Sequence, residues 1–125
     1  AGGANENADA MKIYKLAKRF PKVHVVLYHL GFGGAHDYVI STIKQSIDNK
    51  DATLYTGTAQ ATPEAVLKAV RVLGSQKVLF GTDASYYGKG HYARYKNMVE
   101  AMSKSLTPQQ FSQVMRENAK KLFSL

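Results

Sequence analysis

The stretch "QKVLFGTDASYYG", Gln76 to Gly88, decides how this chain is interpreted. Its short apolar run is typical of a buried strand, and the run ends in Gly81, Thr82 and Asp83. The carboxylate of Asp83 stands just past that strand, either as a turn-forming residue or as a ligand. The sequence before and after this stretch is needed to distinguish these two roles of Asp83.

Strand-like and helix-like patterns alternate along the whole chain. Apolar residues at steps of three and four predict five helices, at 7–20, in the later part of 31–51, at 62–74, near 91–104 and at 107–125. Apolar or β-branched runs predict three strands, at 22–31, 52–60 and 77–83. The first strand is expected to be buried on both faces, as in a parallel sheet.

The order α-β-α-β-α-β-α-α indicates an α/β fold, with a parallel sheet and helices outside it. Two architectures fit: a small open α/β domain, or a piece of a (β/α)₈ barrel, which needs roughly 250 residues when complete. The length of 125 residues predicts one domain over 1–125.

The boundaries of the helices have chemical signals. Thr62 before Pro63 and Thr107 before Pro108 predict two capped helix starts, and Gly74 predicts the end of the first of these helices. The first helix of the chain is expected to start at Asn5 or Asn7. Its apolar face is expected to hold Ala10, Ile13, Leu16, Ala17 and Phe20.

The composition bounds the classes of function. Lys and Arg number 17 against 9 Asp and Glu, a net charge of +8. The basic residues are spread along the chain, so we expect no nucleic-acid partner, and no apolar run is long enough for a membrane span. Cysteine is absent, which excludes disulfides and fits a reducing compartment, so we expect a cytoplasmic location. A complete, non-catalytic basic α/β binding module is the competing class, and salt-dependent binding to a polyanion would identify it.

Two chemically active residues follow predicted strands. Functional groups of parallel α/β proteins gather beyond the carboxyl ends of the strands, and His29 and Asp83 both stand there. Imidazole and carboxylate suit a divalent cation such as zinc. The same pair suits acid–base chemistry. The structural alternative is a histidine satisfied by a neighbour and an aspartate that caps a turn.

Three segments together carry a family resemblance: "KRFPKVHVVLYHLG", "ATLYTGTAQATPEAVLKAVRVLGSQKVLFGTDA" and "LTPQQFSQVMRENAKKLFSL". They resemble the C-terminal part of metal-dependent amidohydrolases, in the branch of TIM-barrel hydrolases and decarboxylases. The Gly-Thr-Asp after a strand and the Asn-Ala-x-x-Leu-Phe ending are specific when they occur together. The resemblance implies that the three strands are the sixth, seventh and eighth of a barrel.

The resemblance also implies an activity: a water activated by a divalent metal, Zn²⁺ or alternatively Mn²⁺, attacks a small carboxylate, lactone or amide substrate. The alternative is decarboxylation by the same family. Asp83 would be a metal ligand and the proton acceptor. His29 would be a metal ligand or would stabilise charge on the substrate. The loop residues Tyr86, Tyr87 and His91 are expected to contact the substrate.

The chain departs from the family pattern in its loop after Asp83, which lacks the usual Tyr-Pro or Phe-Pro, and in its metal-binding histidines. The family's first strand carries His-x-His or Glu-x-His and its fifth strand another metal histidine, and neither is present here. The chain is therefore expected to be a C-terminal fragment with little turnover of its own. Its expected partners are the missing N-terminal half of the barrel or a second copy of the chain.

Overall fold

A computed structural model describes residues 9–83, 88, 90 and 93–125, and of Arg94 only the backbone. The helices are α1 (Ala10–Ala17), α2 (His36–Asn49), α3 (Pro63–Leu73), α4 (Ala93–Ser105), α5 (Pro108–Ser112) and α6 (Asn118–Phe123). The strands are β1 (His24–Leu27), β2 (Thr53–Gly57) and β3 (Val78–Leu79). A 3₁₀ turn (Ser75–Lys77) precedes β3, and a π-helical turn (Gln113–Glu117) joins α5 to α6. The predicted alternation is confirmed, with shorter strands than the sequence indicates.

The three strands form a parallel sheet in the order β1-β2-β3. Each crossover moves in the same direction across the sheet. Because parallel crossovers are right-handed, α2 and α3 then lie on the same face, and the two helices pack against each other. A sheet wound in one direction only fits a barrel wall, and it fits a small open α/β sheet as well. The α/β prediction is confirmed, whereas the assignment to strands six to eight stays a prediction.

The main core lies between the sheet and these helices. Leu27, Leu54 and Val78 point from neighbouring strands into it and are buried. The helices contribute buried apolar residues to the same cluster: Val39, Ile40, Ile43, Val66, Ala69, Val70, Leu73, Met98 and Met102. The other face of the sheet is more open, with His24 and Tyr28 exposed and Val26 and Tyr55 half-buried. The prediction that β1 is buried on both faces is therefore wrong, because the described helices cover the Leu27 face.

The buried stripe of α1 also differs from the prediction. The helix buries Ala10, Tyr14 and Ala17, whereas Leu16 is 55% exposed and Phe20, beyond the helix end, is 53% exposed. Tyr14 is drawn inward because its hydroxyl donates to Asp51 (2.7 Å) and accepts from the Asn49 amide (3.0 Å). The start of α1 is capped by Asp9, whose side chain accepts from the Lys12 N–H. The predicted caps Asn5 and Asn7 lie outside the described residues.

The other predicted helix caps are confirmed. The Thr62 side chain accepts from the Ala65 N–H at the start of α3, and Gly74 follows its end with a φ of +89°. Thr107 and Gln110 form a reciprocal capping box at α5. These interactions are local, which is why the sequence alone predicts them.

The C-terminal helical segment closes the outer edge of β3. The Phe80 N–H donates to the Val114 carbonyl (2.9 Å). The Asn118 amide donates to the carbonyls of Ser75 (2.7 Å) and Val78 (2.8 Å). Backbone groups that a further strand would otherwise pair are thus satisfied by a helix.

Candidate active site

β1 ends in a turn that presents His29. The Leu30 N–H donates to the Leu27 carbonyl (3.4 Å), so that Tyr28 and His29 are the two central residues. Leu30 has a φ of +42°, and the Nδ1 of His36 donates to the Leu30 carbonyl at 2.5 Å. The first residue of α2 thus holds the far end of this turn.

Asp83 lies at the same edge of the sheet. Its Oδ2 is 3.4 Å from the Nε2 of His29, and the two side chains are about one-third exposed (33% and 32%). Its φ of +56° is in the left-handed region, which aspartate tolerates better than most residues. The prediction that His29 and Asp83 stand together at the carboxyl edge of the sheet is confirmed.

The turns, and not the alternation of side chains along the strands, bring this pair together. The register pairs Leu27 with Thr56 and Thr56 with Val78, which places these residues on one face. Leu79 lies on the other face. If the strands continued regularly, His29 would follow Leu27 and Asp83 would follow Leu79, and the two would point to opposite faces. The positive φ values of Leu30 and Asp83 accompany the departure from that alternation.

Tyr28 covers the ends of the neighbouring strands. A Cβ atom at Gly81 would lie 2.5 Å from the Tyr28 hydroxyl, and one at Gly57 would lie 2.5 Å from the Tyr28 carbonyl oxygen. Glycine is therefore needed at both positions for this approach. The ring of Tyr28 also meets the ring of His29 edge to face, with 5.5 Å between the centroids. A phenol thus lies beside the His29–Asp83 pair.

A buried hydroxyl and an amide hold the Asp83 segment in position. The Thr58 hydroxyl accepts from the Gly81 N–H (3.0 Å) and lies 2.8 Å from the Gly81 carbonyl, to which it donates. Gln60 places its Nε2 at 3.4 Å from the Asp83 Oδ2, and its backbone N–H donates to the Tyr95 hydroxyl (3.2 Å). Thr58 is fully buried, so the position of Gly81, two residues before Asp83, is well defined.

The His29–Asp83 pair has the separation of two ligands of one cation. Zinc bonds of about 2.0–2.2 Å at a tetrahedral angle place two ligand atoms roughly 3.4 Å apart, and the observed distance is 3.4 Å. Within the described residues, no third His, Asp or Glu joins them to complete a metal-binding group. The donor set therefore fits part of a metal site.

Three of the predicted site residues, Tyr86, Tyr87 and His91, lie outside the described residues.

Two residues of the observed site, Tyr28 and Gln60, were not predicted from the sequence. The glycines at 57 and 81 were the available signal for Tyr28, since adjacent strands that both end in glycine leave room for a large side chain. No local signal marks Gln60. Its backbone φ of +61° and its reach to Asp83 appear only in three dimensions.

None of the helices in the described part of the chain is long and apolar enough to cross a bilayer.

A comparison with curated proteins finds no match. A model of the amidohydrolase family matches residues 4–125, nearly the whole chain. That family consists of TIM-barrel enzymes that are generally metal-dependent and carry out hydrolase-type or decarboxylase-type chemistry. The one-directional parallel sheet and the His29–Asp83 pair agree with the match, and the chain belongs to the amidohydrolase family.

Proposed function

We propose that this chain forms the catalytic edge of a metal-dependent hydrolase in which an activated water attacks a small carboxylate, lactone or amide substrate. The observation that carries the proposal is the 3.4 Å approach of His29 Nε2 to Asp83 Oδ2 at the carboxyl edge of the sheet. The family match over residues 4–125 supports the reaction class. Decarboxylation, which the same family also carries out, is the alternative reaction.

The roles follow from the chemistry of the side chains. A divalent cation held there, Zn²⁺ in our proposal and Mn²⁺ as the alternative, would lower the pKa of a bound water and polarise a substrate carbonyl. Asp83 offers a carboxylate both as a ligand and as the acceptor of the water proton. His29 offers a ligand nitrogen, or a donor to negative charge that develops on the substrate. Tyr28 adds a phenol hydroxyl on the same side.

We propose that the complete site needs further strands. A tetrahedral zinc site takes four ligands, and the described residues bring two together. The outer edge of β1 pairs with no strand in the described part of the chain. The chain would supply strands six, seven and eight, and the remainder would come from an N-terminal half of the barrel or from a second copy. A strand that pairs with the outer edge of β3 would then replace the Phe80–Val114 hydrogen bond. On this proposal, the chain alone has little turnover.

Zinc titration of the chain tests the site independently of any substrate. Long-range ¹H–¹⁵N spectra separate the ring nitrogens of the histidines. We expect Zn²⁺ to shift the His29 Nε2 signal saturably. Asp83→Asn should weaken that binding by at least about tenfold, a loss seen even when only an outer-shell partner of a ligand is removed.

His24→Gln is the matched control, since His24 begins β1 at the opposite end of the sheet. It should leave the response of His29 unchanged. A His29 signal that does not move, or that moves equally in Asp83→Asn, would refute the assignment of this pair to a metal.

A further inference from the structure

A cleft lies at the amino end of the sheet, opposite to His29 and Asp83. It has a volume of roughly 430 Å³. Its walls come from β1, β2, the 3₁₀ turn and the C-terminal helical segment, and its lining includes Tyr55, Gln76, Lys77, Gln113, Lys121 and Leu122. None of these residues takes part in the site described above.

Lys77 is the central cation of this cleft. Its ammonium nitrogen lies 4.8 Å from the centroid of the Tyr55 ring, a cation–π contact that orients the charge but does not neutralise it. Within the described residues, no carboxylate lies within ion-pair distance of it. Burial lowers the pKa of Lys77, since a half-buried ammonium loses part of its hydration.

The acidic residues nearby have other partners. Glu117, on the wall of the cleft, pairs with Arg116 (3.6 Å) and Lys120 (4.0 Å). Asp51 lies in the neighbouring groove that Lys77 also lines. It accepts from Tyr14 and pairs with Lys18 (3.9 Å).

Lys121 is the second cation of the cleft and likewise has no ion pair within the described residues. Lys50 lines the neighbouring groove beside Lys77. The local charge balance is therefore positive at a place where one ammonium is already partly desolvated.

A neutral donor completes the set. The Oε1 of Gln113 accepts from the Ser75 hydroxyl at 2.5 Å, which leaves its Nε2 end as the donor for a ligand. The amide of Asn118 is already occupied by two backbone carbonyls. Tyr55 and Leu122 give the cleft an aromatic and aliphatic wall.

We propose that this cleft binds a small oxyanion, a phosphate or carboxylate group on a small molecule, between Lys77, Lys121 and the Gln113 amide. A bound oxyanion would neutralise the half-buried ammonium of Lys77, which no carboxylate in the described part of the chain does. The organic part of such a ligand would lie against Tyr55 and Leu122.

Titration of the ¹⁵N-labelled chain with inorganic phosphate tests the proposal. Ionic strength is held constant with sodium chloride, so that general screening does not contribute. We expect saturable shifts at Gln76, Lys77, Gln113 and Lys121. A parallel titration with acetate distinguishes a phosphate site from a general carboxylate site, because only the preferred group saturates at the lower concentration.

Lys77→Met keeps most of the length of the side chain and removes its charge, and we expect it to weaken phosphate binding at least tenfold. Lys121→Gln should weaken phosphate binding by a smaller factor. If Lys77→Met does not fold, Lys121→Gln alone tests the proposed site. Lys104→Gln is the control, because Lys104 pairs with Glu100 on α4 away from the cleft. Shifts that fail to saturate, or equal affinity in the wild type, Lys77→Met and Lys121→Gln, would overturn the proposal.

Discussion

Tyr14 stabilises the packing of α1 through its hydroxyl as well as its ring. It is 1% exposed, donates to Asp51 and accepts from Asn49. Tyr14→Phe leaves the Asp51 carboxylate and the Asn49 amide without this partner. We expect a loss of about 1–2 kcal/mol in the free energy of unfolding at neutral pH, measured by urea denaturation. Tyr55→Phe is the control, since it removes a phenol from the open face of the sheet, and a Tyr14→Phe midpoint equal to that of wild type would contradict the expectation.

The same hydroxyl predicts a pH dependence. Burial raises the pKa of Tyr14 above its ordinary value of 10.0, and the neighbouring Asp51 raises it further. As the pH rises past that ordinary value, the unfolded chain loses this proton and the folded chain keeps it. The folded state then binds more protons, so stability falls with rising pH. We expect the free energy of unfolding to fall less steeply above pH 10 in Tyr14→Phe than in wild type, and parallel curves would argue against the role of burial.

Asp83 carries the proposed chemistry, and Asp83→Asn tests it with little change in shape. Asparagine also tolerates a positive φ, so the turn should persist. In the assembled barrel, we expect turnover to fall by about 10²–10⁴-fold, the usual contribution of a positioned acid–base group. Asp48→Asn, at an exposed aspartate of α2, should leave turnover unchanged. Full activity of Asp83→Asn would remove Asp83 from the mechanism.

At the scale of the elements, the ends of β2 and β3 depend on two glycines that differ in what lies above them. A Cβ at Gly57 meets the backbone carbonyl of Tyr28, whereas one at Gly81 meets the end of the Tyr28 side chain. We therefore expect Gly57→Ala to cost about 1–3 kcal/mol of stability, because the backbone must move. Gly81→Ala should cost less and displace the Tyr28 ring.

Thermal unfolding compares the stabilities of the two glycine variants, and NMR signals of Tyr28 report the ring position. Equal stabilities of the two variants would contradict the expected difference between backbone and side-chain contact. Because Gly81→Ala displaces the Tyr28 ring and leaves Tyr28 itself unchanged, the variant also tests whether the site depends on the position of that ring.

Asn118 connects the C-terminal segment to β3. Asn118→Ala removes two hydrogen bonds to the Ser75 and Val78 carbonyls, and we expect a loss of about 1–3 kcal/mol. Asn97→Ala, at an exposed position of α4, should be near neutral. Urea denaturation followed by circular dichroism gives both values. If the two variants are equally stable, the β3 edge is satisfied in another way.

At the scale of the whole molecule, two features predict association: the open face of the sheet, and the outer edge of β1, which no strand among the described residues covers. Phe20 and Val23, in the segment that leads into β1, are each 53% exposed. Exposed edges and apolar surface favour pairing with another chain. We expect light scattering after size exclusion to show a mass above 13.8 kDa that rises with protein concentration.

Val23→Lys places a charge beside the edge of β1 and should shift the molecule towards the monomer. Lys12→Glu, on the exposed side of α1, is a control for a change of charge elsewhere. A monodisperse monomer at high concentration would oppose the proposal that the chain needs a partner.

The sequence by itself determined the elements of this protein. Three local signals in the sequence appear in the structure. They are the alternation of strand-like and helix-like spacings of apolar residues, the threonine–proline starts of α3 and α5, and the glycine after α3. The sequence also determined that His29 and Asp83, at the ends of the first and third strands, stand at one edge of the sheet, because parallel strands present their carboxyl ends together. It failed for the buried stripe of α1, since the inward position of Tyr14 depends on Asp51 and Asn49, which lie far along the chain.

Only the tertiary structure decided which atoms meet. The register of β1, β2 and β3 would send His29 and Asp83 to opposite faces, and the turns that follow the strands bring them to 3.4 Å. Tyr28 over the two glycines, Gln60 beside Asp83 and Lys77 against the Tyr55 ring depend on the same packing. The physical reason is range: capping and periodicity act within a few residues, whereas a site is made by contacts between segments that folding alone brings together.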